Sequence, residues 1–287
     1  MALSLPFRMS VLMESAASPI TFRQGQATSQ KETRLTEILE KSAAYCDRLE
    51  NSALHFVCLE KIEEVVRRVM TDTVSRPLGS GTYLVGRVLR GSKKNTFVYD
   101  YQLIKRGDEI AENRTLLEEN GKRKMEKNAP LKTTKFFSYN PVFGPVGFLG
   151  REWQGTYDYH FVREDTLDGV KAAVIEVRPK TLIEGKPNYG KIWVAWKDGS
   201  VLRIDVEQES LVGFEEIEAE AKKKGLKPLI STSHFFGFEK NGLRFPSRTV
   251  FEESFIGPNV PPTGPSRTVF SYEEYKFFIV STEVLIK

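Results

Sequence analysis

Leu229-Ile-Ser-Thr-Ser-His-Phe-Phe-Gly-Phe-Glu-Lys-Asn-Gly-Leu-Arg-Phe-Pro-Ser-Arg-Thr-Val-Phe-Glu-Glu-Ser-Phe255 is the stretch on which the fold turns. Asn241-Gly242 lies between two runs rich in Phe, Leu, Ile, Val and Thr, and both residues tolerate the positive φ of a two-residue hairpin turn. Strands are therefore expected over 229–239 and 243–255, folded back on each other. Just upstream, Lys197-Asp198-Gly199 separates the apolar runs 190–196 and 200–207 in the same way. Gly107-Asp108 separates 96–105 from 109–118.

Working outward, further strands are expected over 82–89, 156–163, 169–178, 267–275 and 277–286. Residues 55–70 read as a long strand or a strand pair, although 60–68 also suits a helix. About ten or eleven strands are expected, most joined by short turns, a pattern that favours an antiparallel meander. Strands and helices do not alternate regularly, which disfavours a doubly wound parallel sheet. Pro246-Ser-Arg-Thr-Val-Phe251 recurs as Pro265 to Phe270. One recurrence is not a solenoid period, and it reads as two similar strand starts.

Two segments break the strand pattern. Ser29 followed by Glu32 fits a capping box, and Leu35, Ile38, Leu39, Ala43, Cys46 and Leu49 then recur at helical spacing, so an amphipathic helix is expected over 30–51. Residues 214–224 suit a short helix or loop that stops at Gly225. The charged stretch 122–135 reads as a connection. The stretch 136–153 gathers Phe136, Phe137, Tyr139, Phe143, Phe148 and Trp153 among glycines and prolines that bar one long helix. It suits a plug for the core or an apolar lid.

Composition narrows the classes. The 287 residues are 40% hydrophobic, with 19 Phe and 10 Tyr against 5 Met, a bias that suits pleated surfaces. The net charge of +4 comes from basic residues interleaved with acidic ones, not from the basic stripe of a nucleic-acid binder, so no nucleic-acid partner is expected. Arg8 and a short apolar patch at Val11, Leu12 and Met13 are interrupted by Glu14, short of a clear signal peptide. Residues 1–28 are expected to be a disordered lead or residual signal segment, and 29–287 a single domain. No run reaches the ~20 apolar residues of a membrane span.

Catalytic patterns are absent from the sequence. Gly79-Ser80-Gly81 with Gly86 matches neither the dinucleotide fingerprint nor the P-loop, and reads as a turn. No His-Glu-x-x-His or Gly-x-Ser-x-Gly occurs. His160, Glu164 and Asp165 suit a surface cluster, and Cys58 with a distant histidine has no local signature. Two cysteines and three unpaired histidines do not make a metal site. No enzyme, metal or cofactor is expected. Cys46 and Cys58 suit either small buried hydrophobes or a disulfide in an oxidising compartment.

Gly169-Val-Lys-Ala-Ala-Val-Ile-Glu-Val-Arg-Pro-Lys180, Tyr189-Gly-Lys-Ile-Trp-Val194 and Asp198-Gly-Ser-Val-Leu-Arg-Ile204 resemble the central hairpins of the outer-membrane lipoprotein-sorting superfamily, the LolA/LolB-like periplasmic carriers. Phe236 to Arg248 and Thr268-Val-Phe-Ser-Tyr-Glu-Glu-Tyr275 resemble its late strands. The resemblance covers 155–287 well and the opening from 30 loosely. It implies a mainly β fold, a curved, incomplete antiparallel β-barrel with helices over its open side. It also implies a periplasmic protein of the bacterial envelope whose apolar interior holds acyl chains of lipids or lipoproteins. The chain departs from the family in its length through 50–150 and in lacking an anchoring cysteine.

The resulting expectation is a carrier or sensor that does no covalent chemistry. Leu35, Leu39, Leu49, Phe137, Phe143, Phe148 and Trp153 are its expected cavity lining. An envelope interaction module with a filled interior is the alternative, and a hydrolase using Cys58 or a serine beside His160 or His234 is a second. A continuous cavity of several hundred Å³ beneath the helices separates carrier from module.

Overall fold

The computed structural model describes residues 20–52, 54–78, 81–181, 188–258 and 265–278. It is mainly β. One curved sheet of eleven antiparallel strands is not closed into a barrel, and helices cover its concave side. The strands are β1 (Leu54–Leu78), β2 (Gly81–Arg106), β3 (Glu109–Glu119), β4 (Lys122–Lys127), β5 (Tyr157–Leu167), β6 (Val170–Pro179), β7 (Gly190–Ala195), β8 (Val201–Val206), β9 (Lys227–Phe235), β12 (Arg248–Ile256) and β13 (Ser266–Phe277). The separate hairpin β10 (Phe238–Lys240) and β11 (Leu243–Phe245) completes the set.

The order across the sheet is β4-β3-β2-β1-β13-β12-β9-β8-β7-β6-β5. The first strand pairs with the last in the middle, so the edges are β4 and β5. The chain must cross the whole sheet between those edges, and residues 128–156 make that crossing. Register irregularities at Val57/Leu59, Val98/Tyr99, Leu116/Glu118, Phe161/Arg163 and Trp193/Val194 spread across the sheet. Such extra residues bend a strand, which gives the sheet a concave face.

Several expectations need correcting. The helix α1 runs Ile20–Asn51, so it begins before the Ser29 cap, and its first residues belong to the segment expected to be a disordered lead. Residues 82–89 and 96–105 are parts of one strand that pairs with β1 from Leu54↔Lys105 to Leu78↔Gly81. Cross-strand pairing carries the chain through Gly91-Ser92, because strand preference depends on neighbours more than on local propensity. The charged stretch 122–135 contains β4, turned from β3 at Asn120-Gly121, with φ of 51° and 76°. That is the same signal as Asn241-Gly242. The expected strands 229–239 and 243–255 are each split: β10 and β11 form the small inner hairpin, and β9 pairs directly with β12. Residues 267–277 are one strand, and the part of the expected strand 277–286 beyond Phe278 lies outside the described residues. The repeated hexapeptide proves to be two neighbouring strands, with Val250 opposite Val269 and Thr249 opposite Phe270.

The core lies between the concave face and the covering segments. Ile38, Tyr45, Cys46 and Leu49 of α1 are fully buried there, and the aliphatic pair Ile38 and Leu49 contributes about 1.5–3 kcal/mol each. The Tyr45 hydroxyl accepts from the Arg244 N–H at 3.2 Å, which ties α1 to β11. Gly199, at φ +73°, sits in the β7–β8 turn where a Cβ would collide with the backbone of Lys41 and Ser42 in α1. The 3-10 turn Pro141–Phe143 and the short helix α2 (Gly144–Leu149) lie beside α1, joined to it by Gln154, whose amide donates to Leu39 O at 3.0 Å and Leu149 O at 3.1 Å.

Candidate functional site: a cavity beneath a pinned strap

Among the described side chains of β1 the buried positions are Leu54, Phe56, Cys58, Glu60, Ile62, Glu64 and Val66. The period of two places two carboxylates on the face that otherwise builds the core. β3 adds Glu112 and Arg114 on the same side. A buried carboxylate is costly unless it is paired and hydrogen-bonded. Here the partners come from the crossing segment, and residues 128–140 form a strap held against the concave face.

Arg114 Nε donates to Glu60 at 2.6 Å and its Nη2 donates to Glu60 at 3.1 Å and to Ser138 O at 3.2 Å. Glu112 accepts from the Tyr101 hydroxyl at 2.8 Å and from the Asn140 N–H at 2.9 Å. Glu64 accepts from the Thr134 N–H and hydroxyl and from Asn95, each at 2.7 Å. Lys135 forms an ion pair with Glu253 of β12. Burial pushes the Glu60 carboxyl up from its ordinary value, against the pull of Arg114. Burial also works against the Arg114 charge, but Glu60 and Glu112 outweigh it and hold the guanidinium above its ordinary range.

Beyond these pins Phe136 stacks on Phe251, with centroids 4.9 Å apart and planes 5° from parallel. There the strap leaves a half-open cavity of about 530 Å³. Its far wall is Phe214 and Ile217 of the helix α3 (Phe214–Lys223), with Leu211 and Val212 of the turn before it. Its floor is the concave face at Val206, Ile230, Thr232, His234 and Phe251, and Phe137 and Tyr139 close the strap side. Glu215 and Glu216 in the first turn of α3 suit the positive end of its dipole. Gln208 holds the preceding turn to β9 by accepting from the Ile230 N–H at 2.8 Å. His234 lies 3.1 Å from the Thr249 hydroxyl through Nδ1, and burial lowers its pKa to about 4, with Asp205 opposing. It is therefore neutral at ordinary pH.

Of the expected lining residues, Phe137 lies on this cavity. Leu49 and Phe148 are buried in the core, and Leu35, Leu39 and Phe143 pack against it. Trp153 is 39% exposed beyond the end of α2. Cys46 and Cys58 are buried free thiols, not a bridge, and burial raises the Cys46 thiol to about 12 and Cys58 still higher. Thiols so raised are protonated and poorly nucleophilic. His160 is exposed on the edge strand β5, while His234 faces inward from β9. Among the described residues no cluster of His, Cys, Asp and Glu is arranged to hold a metal, and no helix is long and apolar enough to cross a membrane.

The sequence reading missed Glu60, Glu64 and Thr232 as parts of the site, and it expected α3 as a short helix or loop without placing it on a cavity. The signal lay in parity, since each of these three polar residues occupies the same alternate positions as the apolar residues of its strand.

No protein-family model matches the chain, and no curated protein matches it. Solved structures do. An outer membrane lipoprotein-sorting protein domain from Vibrio parahaemolyticus aligns over 85% of this chain and 94% of its own, with 10% identity and a TM-score of 0.36. A DUF1329 family protein from Desulfovibrio piger aligns over 87% and 97%, with 14% identity and a TM-score of 0.33. A LolA superfamily protein from Nitrosomonas europaea aligns over 88% and 97%, with 12% identity and a TM-score of 0.32. These likenesses are structural and share few residues.

Proposed function

We propose that the protein is a non-covalent binder of apolar ligands, a carrier or sensor for acyl chains of lipids or lipoproteins in the periplasm. The carrying observation is the cavity of about 530 Å³ between the strap, α3 and the concave face, whose walls are mostly Phe, Ile, Leu and Val. That volume falls in the range of ligand sites, about 300–1,000 Å³. Each methylene moved from water into such a site contributes about 0.8 kcal/mol before ordering costs.

A second reading, an envelope interaction module, draws on a different observation. The inward side chains of α1 and α2 and of the turn before α2 are closely packed, with Ile38, Tyr45, Leu49, Val142 and Leu149 all at most 1% exposed. Native mass spectrometry of gently purified protein separates the two. The binder reading expects co-purifying lipid in the wild type and its loss in Ile217→Trp, which fills the cavity from the α3 side. A clean apo mass, together with no shift in melting temperature on adding long-chain lipids, leaves the module.

A further inference from the structure

Resting on the reading of the cavity as a lipid site, we propose that it selects an acyl ligand carrying an uncharged hydrogen-bonding group, a hydroxyl or ester as in a monoacylglycerol, and that Thr232 reads that group. Thr232 is 2% exposed, and its hydroxyl has no hydrogen-bond partner among the described residues. It occupies a concave position of β9, opposite Phe251 of β12 and Val206 of β8, both of which also line the cavity. Every purely structural need at this position is met by a valine, which has the same shape, strand preference and no orphaned polar atom. An orphaned buried hydroxyl on a cavity wall is a polar group waiting for a ligand.

The charges around it decide which ligand. Among the described residues of the wall Lys135 alone carries a charge, and its ammonium is already paired with Glu253. A carboxylate drawn into this cavity loses its water without gaining a free counter-charge. A plain hydrocarbon leaves Thr232 as it was. A hydroxyl or ester carbonyl satisfies the threonine and brings no charge.

The test compares three probes at pH 8 below their aggregation limits: 1-monopalmitoylglycerol, palmitate and hexadecane, each displacing a neutral fluorescent dye from the whole protein. The wild type is expected to bind the glyceride about tenfold more tightly than palmitate or hexadecane. Thr232→Val is expected to weaken the glyceride about five- to tenfold, to leave hexadecane unchanged, and to melt no lower than the wild type, because it removes an unpaired hydroxyl. Thr232→Ser, which restores the hydroxyl, is expected to recover the preference. If Thr232→Val binds the glyceride as well as the wild type, or palmitate binds the wild type at least as tightly, this inference is overturned while the lipid site stands. If none of the three probes displaces the dye, the lipid site is overturned and the inference falls with it.

Discussion

Arg114 is the residue on which the strap most depends. It is 6% exposed, it makes two hydrogen bonds to the fully buried Glu60, and it stacks its guanidinium 4.7 Å from the Tyr101 ring. Removing one partner of such a pair leaves a buried charge uncompensated, whereas replacing both with apolar groups is often close to neutral. Arg114→Met is expected to cost about 3–5 kcal/mol in urea unfolding, and the double variant Glu60→Met/Arg114→Met to recover most of that. Equal losses in the single and double variants would mean that the strap is held by something other than this pair. His234 gives a pH dependence of known direction. Its pKa falls from an ordinary 6.5 to about 4 on folding. Its contribution to stability is therefore complete above pH 6.5, declines as pH falls, and is lost below about pH 4. A shift of that size is worth about 3 kcal/mol. The stability gap between wild type and His234→Gln is expected to shrink by about that amount between pH 7.5 and 4, and a gap constant across that range would contradict the burial of a neutral ring.

At the scale of elements, α1 and the β7–β8 turn are positioned by each other. The turn needs a left-handed residue at Gly199, and the same glycine lets the helix backbone come close. Lys41 of α1 reinforces the contact by donating to Trp196 O at 3.1 Å. Gly199→Ala combines an unfavourable φ with a backbone collision and is expected to destabilise by roughly 2–3 kcal/mol. Gly242→Ala also places alanine at positive φ, +73°, but meets nothing within 4 Å. It should cost about 1–2 kcal/mol, the conformational part alone. Equal costs in thermal or urea unfolding would remove the helix contact from the explanation. The pair of edges follows a similar logic. β4 is short, wholly exposed and rich in lysine, features that discourage pairing with another chain.

For the whole molecule, the concave face is divided. One part is closed by α1 and α2 and filled with side chains, and the other is roofed by the strap and α3 and holds the cavity. The crossing between β4 and β5 creates this division, because the buried Glu64, Glu112 and Arg114 hold it against the concave side. The aromatic stretch 136–153 is therefore both plug and wall. Phe148 and Phe143 serve the filled part, and Phe136 and Phe137 serve the cavity. A ligand that binds only the folded state stabilises it by mass action, so a bound acyl chain should raise the melting temperature of the wild type and not of Ile217→Trp.

The antiparallel meander, the covering helix and the turns at 107–108, 198–199 and 241–242 were all legible in the amino-acid sequence, because turn chemistry and side-chain period are local properties. The fusion of 81–106 into one strand, the meeting of β1 with β13 and the splitting of 229–255 into nested hairpins were decided by tertiary structure. Pairing between distant strands outweighs the preferences of a few residues. The same holds for the site. Phe137 could be picked out as a large apolar residue in a broken segment, but the sequence does not show that Glu60, Glu64 and Glu112 hold one strap or that Thr232 faces a hollow. Those facts depend on which backbone groups from elsewhere in the chain come within hydrogen-bonding distance.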